Sequence, residues 1–234
     1  MSANPFLHIV LLARKLENDV VRQSVNCGAD EFVTRPFSVA FLEARFKALM
    51  SVRADFVVAG EYIGPDRRRD QTRRKDIEVF TAPNSLKVKC QEDFSAIHAA
   101  SALRAQIRST CAMLNAERIQ KNALRLPVLV RLLKEAFAEM APLEPGLDRL
   151  HATATDMIDR ARNSGANSVL ADAEPILDAI AGAQAGVNVA AHIETAGRLA
   201  ADLYLTLNTN ATRDSLKREV ECECALFKSH KARA

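Results

Sequence analysis

Gly28-Ala29-Asp30-Glu31-Phe32-Val33-Thr34-Arg35-Pro36-Phe37-Ser38 is the stretch on which the fold of this chain turns, together with Ile9-Val10-Leu11-Leu12-Ala13-Arg14 before it. Residues 8 to 12 form a short, continuously apolar run, as expected of a parallel strand covered on both faces. Leu16, Val20, Val21, Ser24 and Val25 share one stripe, which predicts a helix over 15 to 27. Gly28 stands just past it, where a helix end commonly turns left-handed. Phe32-Val33-Thr34 reads as a second strand. Beyond Pro36, Ser38 can cap a helix from 39 to about 50, whose Phe41, Leu42, Arg45, Phe46 and Leu49 recur at three and four. The order strand, helix, strand, helix implies a right-handed parallel crossover.

Working outward, Tyr62-Ile63-Gly64-Pro65-Asp66 reads as a turn, and Arg67, Arg68, Arg69, Arg73, Arg74 and Lys75 form a dense cationic cluster relieved by Asp70. Residues 51–90 are therefore expected to be a basic linker rather than a core element. From 91 to 234 the pattern is helical, with helices expected at 92–122, 128–140, 146–163, 168–182, 187–207 and 212–230. Their breaks fall at Pro127, at Pro142 with Pro145 and Gly146, at Gly165, at Gly182 with Gly186, and at Asn208–Asn210. Pro175 falls inside one of these stretches, in its first turn or at a kink. Ile97, Leu103, Ile107, Met113 and Leu114 keep helical spacing, as do Ile193, Leu199, Leu203 and Leu207, and a helical bundle buries such stripes against one another. The expected fold is an α/β segment (β-α-β-α, parallel) over 1–50, the linker, and an all-α bundle, so mostly α.

Composition agrees. Among 234 residues there is no Trp, aromatic residues make up 5%, and the net charge is only +3, which does not by itself point to nucleic acid. No apolar run approaches the ~20 residues that span a bilayer, and no secretory leader is visible. Five cysteines, scattered except for Cys222 and Cys224, fit a reducing cytoplasm better than a disulfide framework.

Ile9–Arg14 and Gly28–Phe37 together resemble the last two strands of the receiver domain of bacterial response regulators, and the resemblance covers about the first 50 residues. It implies that the Leu-Thr-Ala closing the family's fourth strand stands here as Leu11-Leu12-Ala13. The hydroxyl position is then Leu12, which cannot hydrogen-bond a phosphoryl oxygen. Arg35 replaces the family's Lys, keeping the charge with a different donor geometry. Phe32 matches the aromatic switch residue, and Pro36 matches the proline whose preceding bond is usually cis. The strands bearing the phosphoacceptor aspartate and the acidic magnesium site have no counterpart, so no cofactor is expected. Either the natural protein begins further upstream, or this half packs on the helical domain or on a second copy. Tyr62–Arg69 also looks like a tail found in bacterial receiver proteins with a helical extension. The resemblance implies two-component signalling by protein contact, with a histidine kinase, a receiver or an output protein as partner, and a homodimer through the 39–50 helix face.

Two other readings compete. Phosphotransfer histidines follow the pattern His-x-x-Lys-Gly; His98 and His151 do not fit it, and His192 comes closest, with Thr195 where the Lys should stand and Gly197 two residues late. The Arg67–Lys75 cluster could contact nucleic-acid phosphates, but without interleaved aromatics it reads rather as a docking arm or solvated linker. Cys222-Glu223-Cys224 places its thiols on different helix faces and lacks a second pair, so no metal site is expected. No nucleophile triad, Walker loop or dinucleotide fingerprint is present, and no enzymatic activity is expected.

Overall fold

The computed structural model describes residues 6–15, 17–59, 62–68, 78–91 and 97–231. The chain divides into two compact units, Met1–Leu114 and Asn115–Ala234. It is mostly α, with a small sheet region.

The first unit opens with β1 (Val10–Ala13), α1 (Asn18–Asn26), β2 (Glu31–Thr34) and α2 (Val39–Ser51). β1 and β2 are parallel, Leu11 lying beside Phe32. Gly28 adopts φ 77°, the left-handed conformation that ends α1 and returns the chain to β2. The Arg35–Pro36 peptide is cis. Ser38 caps α2, its hydroxyl accepting the Phe41 N–H at 3.1 Å.

Residues 51–90, expected as a linker, instead contain β3 (Phe56–Ala59), β4 (Tyr62–Pro65), β5 (Val79–Phe80) and α3 (Ser85–Gln91). The three strands pair antiparallel in the order β4-β3-β5. Phe56, Val58, Phe80 and Ala82 are buried with Phe6, and Leu114 and Ile107 from the beginning of α4 (Ile97–Ala138) close the cluster. The physical reason is that Phe-Val-Val is a strong strand former once it has a helix to cover it. That cover moves the division of the chain from the expected 91 to the interior of α4.

The second unit holds the rest of α4 with α5 (Glu144–Ser164), α6 (Asn167–Gln184), α7 (Val189–Leu207) and α8 (Arg213–Lys231). Consecutive helices α5, α6 and α7 pack on one another. Leu126, Leu133, Leu150, Met157, Ile176, Ile180 and Leu203 form their fully buried core. Gly165, at φ 72°, ends α5 in the left-handed conformation. Pro127 does not divide two helices as expected; it lies inside α4, as Pro175 lies inside α6. Ala123, Leu126 and Val128 around Pro127 are all buried. Their packing outweighs the ~3 kcal/mol that a proline costs within a helix. Among the described residues no helix is long and apolar enough to cross a membrane.

Candidate functional site

The turn after α1 carries Gly28, Ala29 and Asp30 of the stretch that bears the receiver resemblance, and the segment expected to be a linker is bound to it. Gly28 is approached so closely by β4 that a Cβ there would stand 3.0 Å from the Ile63 carbonyl oxygen. A Cβ on Gly64 would stand 2.9 Å from the Gly28 Cα. Two glycines thus let two backbones touch, and any side chain at either position would part them. Past β4, Arg67 donates to the Ala29 carbonyl oxygen. Its guanidinium lies 5.3 Å from the centre of the Phe32 ring, within reach of a cation–π attraction. Arg68 turns back on Asp66 in a two-pronged pair at 2.8 and 3.0 Å. The Tyr62 hydroxyl donates to the Pro65 carbonyl oxygen at 2.8 Å, and burial pushes its phenol up against the pull of Arg67.

Arg67 and Arg68 are therefore engaged within their own unit, whereas Arg69, Arg73, Arg74 and Lys75 lie outside the described residues. Leu12 sits on β1 with its side chain 49% exposed. Arg35 follows β2 and, with Arg14, Pro36 and Phe37, lines an open depression of about 450 Å³ at the carboxyl ends of both parallel strands.

Beneath the turn lies an ion pair that sequence reasoning missed. Asp30 accepts the Ile9 N–H at 2.8 Å with one carboxylate oxygen and meets Arg53 at 3.5 Å with the other. Arg53 also donates to the carbonyl oxygens of Phe6 and Pro83, both at 2.5 Å, and its guanidinium lies 5.0 Å over the Phe56 ring. Both charged side chains are nearly inaccessible, and burial lowers the proton affinity of Arg53 against the support of Asp30. Burial, then the nearby Arg53 charge, pulls His8 below its ordinary value. Asp30 stood in the quoted stretch; nothing in the sequence set Arg53 apart from the other arginines.

α2 is the most open helix of the unit, with none of its 13 residues buried. Val39 is 74% exposed, and Phe41 and Phe46 are each 41% exposed. Arg45 lies 5.2 Å over the Phe41 ring and pairs with Glu31 at 3.5 Å. Asn84 caps the far end of α2 by donating to the carbonyl oxygens of Leu49 and Met50.

In the second unit His192 is half-buried on α7, its ring laid against Gly182 of α6. His151 is exposed on α5, and the side chain of His98 lies outside the described residues. Cys222 is exposed while Cys224 is buried, its sulfur toward the Val128 carbonyl oxygen, so the two thiols do face different surroundings. Among the described residues no group of three or more His, Cys, Asp or Glu side chains could hold a metal ion. A polar cluster joins α4 and α5: Asp156 accepts from Arg118 at 3.0 Å, Asn122 at 2.8 Å and Arg160 at 3.0 Å. Burial works to raise the Asp156 carboxyl, but hydrogen bonds from Arg160, Asn122 and Arg118 outweigh it and hold it below the ordinary carboxylate value. Comparison with protein-family models, with curated proteins and with solved structures gives no match.

Proposed function

We propose that this chain is a receiver-like protein of two-component signalling that works by contact with other proteins and without catalysis, its Leu12 and Arg35 switch positions no longer serving a phosphoryl step. The observation that carries this reading is α2: a capped, 13-residue helix with no buried residue. So short a helix is marginal alone, and its Val39, Phe41 and Phe46 offer apolar surface to a partner. A histidine kinase, a receiver or an output protein fits that face, and so does a second α2. The parallel β1–β2 pair, with α1 between the strands and α2 after them, agrees with the family's order. Leu12 in place of a hydroxyl, with Arg35 in place of the Lys, supports loss of the phosphoryl step.

The test is binding of the full chain to a panel of purified histidine kinases and response regulators, with Phe46→Asp as the variant. A partner whose binding falls on that substitution is the expected result. Binding untouched by Phe46→Asp, or stable uptake of phosphate by this chain from acetyl phosphate and magnesium, would defeat the reading. The phosphotransfer alternative receives less support, because the His192 ring rests on Gly182 rather than standing free. So does nucleic-acid binding, because Arg67 and Arg68 are spent on Ala29, Phe32 and Asp66.

A further inference from the structure

A cationic groove lies wholly within the second unit, between α4 and α7. Pro127, Val130, Arg131 and Lys134 fall on one face of α4, spaced at three and four. Glu194, Gly197, Arg198 and Ala201 do the same on α7. With Arg213 from the start of α8 they line a groove of about 510 Å³. Seven residues of helix make it about 10 Å long, the size of a small-molecule site rather than of a protein interface. Its floor is apolar, formed by Pro127, Val130 and Ala201. Gly197 keeps that floor clear: a Cβ there would lie 3.0 Å from a Val130 methyl carbon and 3.5 Å from the Lys134 ammonium nitrogen.

The walls carry more positive charge than negative. Lys134 and Glu194 match each other at 2.5 Å. The two remaining carboxylates are each shared by two cations. Asp202 pairs with Arg213 at 2.7 Å and with Arg198 at 3.7 Å. Glu135 pairs with Arg131 at 3.2 Å and with Lys228 at 2.8 Å. Each wall thus holds one positive charge beyond what its carboxylate balances. The shared carboxylates also fix the guanidinium groups while leaving them reachable, with Arg131 50% and Arg198 61% exposed. Cations fixed beforehand lose little freedom when a ligand arrives. A guanidinium fork meets phosphate oxygens two at a time. A tetrahedral phosphoryl group can offer oxygens to both walls at once, whereas a planar carboxylate serves one fork. We infer that this groove binds a small phosphorylated molecule carrying at least two negative charges. Arg131 and Arg198 grip its phosphoryl oxygens from opposite walls, and its carbon skeleton lies on the apolar floor. The inference goes beyond contact with signalling proteins and uses no residue of α2.

The experiment is isothermal titration calorimetry of the full chain with pyrophosphate at fixed ionic strength. The expected result is saturable binding at one site per chain. Arg131→Gln and Arg198→Gln should each weaken it about tenfold. Each leaves its carboxylate a second cation, so neither strands a buried charge. Ala201→Leu keeps every charge but fills the floor, and should abolish binding. Arg162→Gln removes a comparably exposed arginine on α5, paired with Glu174 at 3.1 Å, and should change nothing. Urea unfolding checks that every variant is folded. No saturable binding, an equal loss in Arg162→Gln, or undiminished binding by Ala201→Leu overturns the inference. A hexaglutamate peptide that displaces pyrophosphate and binds more tightly also overturns it, in favour of an acidic protein segment. Phe46→Asp lies in the first unit and bears on the α2 docking reading alone. Partner binding and pyrophosphate binding, measured on the same variants, therefore tell failure of one reading from failure of the other.

Discussion

The two ends of the molecule treat their apolar residues in opposite ways. In the second unit Leu126, Met157 and Ile176 are wholly inaccessible, and Ala154, Ala173 and Ala200 let neighbouring helices close on them. In the first 52 residues Leu7, Ile9, Leu12, Val20, Val39, Phe41, Phe46 and Val52 stand open, and one whole helix buries nothing. Soluble chains do expose single apolar residues as a matter of course; eight within one α/β segment is a denser exposure than the second unit shows. The difference separates a unit whose stability is internal from a segment whose apolar surface is offered outward.

The contrast is sharpest in paired truncations. Met157→Ala and Ile176→Ala should each cost about 2–5 kcal/mol in urea unfolding, whereas Phe46→Ala and Val39→Ala should stay within about 0.5 kcal/mol. A comparable loss at Phe46 would mean that α2 is supported from within the chain, and the comparison would break. Next comes Asp156→Ala, which strips the partner from Arg118 and Asn122, both nearly inaccessible. Stranding a buried cation costs about 3–5 kcal/mol, and the 30% exposure of the Asp156 side chain places the loss at about 2–3 kcal/mol. Because its carboxyl is held low in the folded chain, the contribution is present above the ordinary aspartate value and disappears as pH falls through the lowered one. Acid titration of stability should therefore be flatter in the variant.

Smaller again is the strap across the turn. Arg67→Ala should loosen β4 from Ala29 and uncover Phe32. The expected cost is about 1 kcal/mol, with faster hydrogen exchange over 28–34 and no change in the second unit. Arg67→Lys should restore only part of it, since an ammonium lacks the planar fork that lies over the ring. The least costly test is spectroscopic. Tyr204 donates to Glu219 at 2.7 Å, and burial together with that carboxylate pushes its phenol up to about 12. A raised acid stabilises the fold below the unfolded tyrosine value and loses that contribution as pH climbs from about 10 toward the folded value. Absorbance at 295 nm should show delayed ionisation, and Glu219→Gln should bring it forward.

Much of this arrangement was legible in the sequence because period and punctuation agreed. Val189–Leu207 sits within two residues of the expected helix 187–207, and Gly165 ends α5 as its position suggested. Ser38, Gly28 and the parallel strand order were equally readable, each being a local device with a local cause. The β3–β4 hairpin was not. Its strands are four residues each, and the cationic run beside them has the composition of a solvated segment. Phe56-Val57-Val58 becomes core only through contact with residues more than 20 positions away, such as Phe80 and Leu114. Pro127 misled for the same reason: a local cost was visible and the distant packing that offsets it was not. Arg53 shows the limit for sites. Its partners Phe6, Asp30 and Pro83 are joined only by the fold.

The imidazole laid on α6 binds two positions of the chain to a common history. A methyl at Gly182 would fall 2.3 Å from a carbon of the His192 ring, closer than any two such atoms can stand. Alanine would otherwise be the better helix former at that point, by about 1 kcal/mol. The gain is open directly to a lineage that has first exchanged His192 for a smaller residue; with His192 in place the ring must first swing aside. Taken in the other order, the same two substitutions pass through a disfavoured intermediate, so Gly182 and His192 should be inherited, and replaced, together.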